Sequence, residues 1–70
     1  MKLNVYGQKI EIIRLKGQWK VFILGSEGKK RLADDIVIPS DIQEKQLIRY
    51  ISDMFHERAT PANNEVFEIS

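Results

Sequence analysis

Ser52, Asp53 and His56 fall within the stretch "YISDMFHE", and serine, aspartate and histidine are the residue types of a nucleophilic triad. A triad needs a nucleophile facing a pocket, a base oriented by a buried acid, and donors for the developing oxyanion. Spacings of i, i+1 and i+4 place these residues on successive turns of one short helix, which forms no such pocket. The spacing predicts instead that His56 stands at the edge of the helix's buried stripe or beside its negative C-terminal end. No catalytic residue is assigned, and the chain is expected to be non-enzymatic.

Metal and phosphate chemistry find equally little to work with. His56 with Asp53 or Glu57 supplies too few ligands, pointing in mixed directions, and Asp34-Asp35 reads as a turn or cap before the apolar run Ile36 to Ile38. The sequence has no cysteine, so neither a thiolate site nor a disulfide framework is available. "GSEGKK" has glycines and lysines but not phosphate-loop spacing, and no helix follows it directly. It is expected to be a hairpin tip. No metal or cofactor is implied.

The elements that carry these residues begin as a β-meander. "KLNVY" alternates, with Leu3 and Val5 on one face, and Gly7-Gln8 suits a two-residue turn with glycine at its first central position. "KIEIIRL" follows, Lys16-Gly17 forms the next turn, and Gln18 to Leu24 makes the third strand. "GSEG" then leads into "KKRLAD", a weaker fourth strand or an extended loop. These turns set Val5 opposite Ile10, Leu3 opposite Ile12, Ile12 opposite Val21 and Ile10 opposite Ile23. One face therefore collects Leu3, Val5, Ile10, Ile12, Val21 and Ile23, and a one-residue slip at either turn would destroy it. Arg14 falls opposite Trp19 at the rim, where guanidinium and indole can stack.

A helix supplies the cover. Pro39 biases Ile38 toward extended geometry, and Ser40 or Asp41 can cap a helix, with Gln43 and Glu44 three residues beyond each. Leu47, Ile48, Ile51, Met54 and Phe55 recur at helical spacing, and Thr60-Pro61 ends the run. On the outer face of that helix, Asp41 with Lys45 and Arg49 with Asp53 stand at i, i+4, as on a solvated surface. The expected fold class is α+β in two layers: a three- or four-stranded antiparallel meander, then one helix. Residues 1–61 form the single domain, and residues 62–70 are a tail in which "EVFEI" is long enough for a short final strand.

One helix covers one face of a sheet. The other is expected to hold Tyr6, Lys9, Ile13, Leu15, Lys20, Phe22 and Leu24, with Lys29 and Arg31 beside them if the fourth strand pairs. It is open to water unless "EVFEI" or a second copy covers it. Charge divides sharply along the chain. Residues 1–31 hold eight basic residues against two acidic ones, +6, and residues 32–70 hold three against eight, −5. Three readings suit the open face: a solvated sheet surface, an interface for a protein partner or homodimer, and a nucleic-acid surface on which basic side chains meet phosphates while Tyr6 and Phe22 stack. A binding module using this face for a protein partner or homodimer is the leading expectation, and nucleic acid is the alternative. The first residues lack the apolar core of a signal peptide, and no apolar run reaches membrane-spanning length. A cytoplasmic protein without a membrane partner is expected.

Two resemblances accompany these residues. "GQWKVFI" on one strand, "GKKR" after the next turn and a helix behind resemble the sheet-reading DNA-binding domains of ethylene-response factors and of the arm-binding ends of phage integrases, over about residues 9–58. That likeness implies nucleic-acid binding through the sheet, although Glu11 in mid-face and the near-neutral net charge depart from it. "MKLNVYG", "WKVF", "DDIVIPSD" and "YISDMFHE" followed by "ATP" resemble a group of short bacterial proteins of unassigned function over residues 1–61. This second likeness implies a small bacterial domain and transfers no activity.

Overall fold

A computed structural model describes every residue of the chain except 26, 27 and 70. It contains five strands, β1 (Lys2–Val5), β2 (Gln8–Leu15), β3 (Gln18–Leu24), β4 (Lys30–Leu32) and β5 (Val66–Glu68), and one α-helix, α1 (Leu47–Met54). The strands form one antiparallel sheet in the order β4-β3-β2-β1-β5. The first four strands are the expected meander. "EVFEI" supplies the final strand, which extends the sheet beside β1 and leaves the second face open.

Both tight hairpins have positive φ at two central residues, 51° and 93° at Tyr6-Gly7 and 50° and 76° at Lys16-Gly17. Their geometry follows the twist of the flanking strands. The second turn lies where the sequence places it, and its register is as expected, with Ile12 opposite Val21, Ile10 opposite Ile23 and Arg14 opposite Trp19. The first turn differs by one position. Gly7 takes the second central place, so Leu3 faces Ile10 and Val5 faces Gln8, and the expected Val5–Ile10 and Leu3–Ile12 pairs do not form. Asn4 favours this turn because its Oδ1 accepts the Gly7 N–H at 2.9 Å. The register moves by two residues, an even number, so the side chains that remain on the strands keep their faces. The "GSEG" tip includes residues 26 and 27 and so lies outside the described residues.

The core lies between the sheet and α1. Leu3, Val5, Ile10, Ile12 and Val21 from the strands meet Leu47 and Ile51 of the helix, with Ala33 and Ile38 from the connecting segment. Ile23 reaches it only as a half-buried neighbour. The helix is shorter than its apolar spacing implies. A 3-10 turn over Glu44–Gln46 precedes it, and the Gln43 N–H donates to Gln46 Oε1 at 2.9 Å. Ser40 and Asp41 do not cap it. The Ser40 carbonyl accepts the Arg14 guanidinium at 2.9 Å, and the Ile42 carbonyl accepts the Trp19 indole N–H at 2.8 Å. These bonds hold the segment against the sheet rim, where the Arg14 guanidinium lies 4.6 Å from the indole centroid. At the other end Phe55 leaves helical geometry (φ −107°, ψ 18°), a 3-10 turn covers His56–Arg58, and Arg58 lies over the Phe55 ring at 4.8 Å.

Candidate interaction surface

Strand alternation sends every second side chain away from the helix. On β2 these are Lys9, Glu11, Ile13 and Leu15, and on β3 they are Gln18, Lys20, Phe22 and Leu24. The register sets Glu11 opposite Phe22, Ile13 opposite Lys20 and Leu15 opposite Gln18. Six of the nine residues the sequence assigns to this face therefore lie on it: Lys9, Ile13, Leu15, Lys20, Phe22 and Leu24. Ile13, Lys20, Phe22 and Leu24 are half-buried among their neighbours, while Lys9 and Leu15 are exposed.

Tyr6, Arg31 and Lys29 do not join them. The shifted turn takes Tyr6 off the strand, and its phenol reaches α1, 3.0 Å from the Ser52 carbonyl and 3.1 Å from Ser52 Oγ. Tyr6 is therefore a strut between hairpin and helix. It also engages the hydroxyl that a triad would have needed as its nucleophile. Arg31 pairs with Ile23, whose side chain faces the helix layer, so Arg31 projects to that side at the exposed sheet edge. Lys29 precedes β4, and its carbonyl accepts the Gly25 N–H at 2.7 Å.

Lys30 and Leu32 occupy the places expected for Lys29 and Arg31, because Leu32 is opposite Phe22 and Lys30 opposite Leu24. Nothing in "KKRLAD" fixes which alternate set faces outward, since the run lacks an apolar period. β5 adds Phe67, which sits opposite Asn4, and Ile69 follows it on the same side. The alternation of Phe67 and Ile69 is visible in "EVFEI", but only pairing with β1 shows which way they face. Leu15, Leu32, Phe67 and Ile69 are 49, 47, 47 and 38 % exposed, so the face shows water bulky apolar groups in several places.

Two apolar groups flank a charged centre. Phe22, Leu24, Leu32 and Ile13 lie toward the β4 side and Phe67 and Ile69 toward the β5 side, with Lys2, Lys9 and Glu11 between them by register. Lys30 joins the cluster to the charges. Its Nζ lies 4.9 Å from the Phe22 centroid and 3.4 Å from Glu11 Oε1. With Lys2, Lys9, Lys20 and Lys30 against Glu11 and Glu65, the face is net positive. Its lysines can lie over the apolar groups while keeping their ammonium ends in water.

Of the three residues with triad chemistry, Ser52 is half-buried and its Oγ is engaged by the Tyr6 phenol. His56 is exposed on the 3-10 turn after α1, and Asp53 is exposed on the helix. Among the described residues, no group of three or more His, Cys, Asp or Glu stands close enough to hold a metal ion. No helix among them is long and apolar enough to cross a membrane.

No curated protein and no solved structure matches the chain. The sequence does match one family model over residues 1–70, that of DUF7661, described as a domain of unknown function. The match takes in β5 and the sheet face as well as the meander and helix, and the chain belongs to this family.

Proposed function

We propose that this chain is a non-enzymatic binding domain of the bacterial cytoplasm that uses its open sheet face to hold an acidic protein partner. One observation carries the reading: the register brings Phe22, Leu24, Leu32 and Ile13 together as an apolar cluster on a face that no other element covers among the described residues, with Lys20 and Lys30 beside it. Apolar anchors within a polar rim are the usual anatomy of a protein interface. The excess of lysine favours a partner bearing carboxylates over a second copy stacked face to face, which would bring like charges together. The same lysine excess supports nucleic acid as a second reading.

The readings separate in one titration. Amide chemical shifts of the 70-residue chain are followed at low salt with three probes: a peptide alternating glutamate with leucine and phenylalanine, a short DNA duplex, and single-stranded DNA. The peptide is expected to move the amides around Phe22, Leu24 and Lys30, and Phe22→Asp is expected to abolish the effect while leaving the rest of the spectrum in place. Stronger displacement by either DNA would transfer the face to nucleic acid. No displacement by any probe would identify it as solvated surface.

A further inference from the structure

The sheet has two free edges, and they differ in kind. β4 ends it with Lys30 and Arg31, next to Lys29, a basic run that repels another copy of itself. β5 ends it on the other side with Phe67 and Ile69 exposed. Its hydrogen-bond phase follows from its ties to β1. The Tyr6 N–H donates to the Glu65 carbonyl at 3.1 Å and the Ile69 N–H to the Lys2 carbonyl at 2.9 Å, with Asn4 opposite Phe67 between them. Bonded and non-bonded pairs alternate in an antiparallel ladder. Residues 65, 67 and 69 therefore bond to β1, and the N–H and C=O of Val66 and Glu68 point away from the sheet. Among the described residues these outward groups meet no further strand.

We propose that β5 pairs antiparallel with β5 of a second copy across a two-fold axis, joining two five-stranded sheets edge to edge. Outward groups must meet outward groups, which limits the registers. Setting Glu68 opposite its own copy opposes two carboxylates, and setting Val66 opposite its own copy places Glu65 against Phe67. Setting Val66 opposite Glu68 of the second copy sets Glu65 against Ile69, but it keeps the two Glu68 carboxylates apart and alone of the three brings Phe67 opposite Phe67. Both such pairs exchange their N–H···O bonds, and the two Phe67 side chains meet at the axis as a non-hydrogen-bonded pair, the kind in which side chains approach more closely. This arrangement is self-complementary and closes with two copies, whereas β5 set on the β4 edge of another copy would propagate without closing. The pairing does not rest on the open-face reading, although it sets both Phe67 rings at the middle of a doubled face.

Sedimentation velocity of the 70-residue chain from about 10 μM to about 1 mM tests it. The mass is expected to rise with concentration from 8.2 kDa to twice that value and stop there. Glu68→Pro removes an N–H aimed at the second copy and unused within the sheet, so the variant is expected to fold and remain monomeric throughout. Phe67→Lys, which sets like charges at the axis without altering the ladder, is expected to do the same and serves if the proline variant does not fold. Phe22→Asp lies away from the edge and is expected to dimerise as the wild type does. A monomer at the highest concentration, a dimer that survives Phe67→Lys, a dimer lost in Phe22→Asp, or a mass that grows beyond two copies would overturn the proposal.

Discussion

The two faces of this sheet are made from alternate residues of the same strands, yet they do different physical work. Leu3, Val5, Ile10, Ile12 and Val21 on one face are at most 3 % exposed beneath α1. On the other, Phe22, Ile13 and Leu24 are only half covered, and Leu15, Leu32 and Phe67 are close to half exposed. The difference lies less in hydrophobicity than in what faces each surface. One face has a helix whose apolar stripe matches it, and apolar area removed from water stabilises at roughly 25 cal/mol per Å². The other has lysine stems and solvent. An apolar residue therefore contributes to folding on the first face, and on the second it remains available for contact.

Substitutions that respect this division should separate sharply. Ile51→Ala removes a fully buried side chain from the helix side of the core and is expected to cost about 2–5 kcal/mol. That is much of the stability of a chain this small, so thermal melting should show a large fall or no cooperative transition. Phe22→Asp on the open face should melt within about 1 kcal/mol of wild type. Equal losses at the two positions would dissolve the distinction between the faces. An intermediate effect is expected at the rim, where Trp19→Phe deletes the bond to the Ile42 carbonyl and leaves that carbonyl without its indole donor. The expected loss is about 1–2 kcal/mol in urea unfolding, with faster amide exchange in the 36–42 segment than in the strands. Smallest is Lys16→Asn. Lys16 has φ 50° before Gly17, and asparagine tolerates that conformation better than lysine. The melting transition should rise by the equivalent of a few tenths of a kcal/mol, up to about 1 kcal/mol, without change to either face.

Much of the fold was legible because alternation is a local property. The period-two pattern from Leu3 to Ile23 marked the strands and named the sheet residues of the core, and Lys16-Gly17 fixed the β2–β3 register outright. Arg14 and Trp19 were legible as a stacked pair for the same reason, since the register sets them opposite. The first turn was not fully legible. "VYGQ" offers Gly7 to either central position, and an Asn4 side-chain bond decides between them. The helix start was misplaced because Ser40 and Asp41 have the right chemistry for a cap, but the segment that carries them is held by Arg14 on β2 and Trp19 on β3, both distant in sequence.

The candidate face divides along the same line. Sequence alone determined that β2 and β3 are apolar on both sides, so Lys9, Ile13, Leu15, Lys20, Phe22 and Leu24 could be placed on one surface from a single turn and the two-residue period. Only the tertiary structure decided that Tyr6 turns back to Ser52, that Lys30 and Leu32 rather than Lys29 and Arg31 face outward, and that Phe67 and Ile69 join the surface from the far end of the chain. A strand's period states which residues share a face but not which face. That choice is made by the partner strand, and for β4 and β5 pairing selected it where the local pattern was silent.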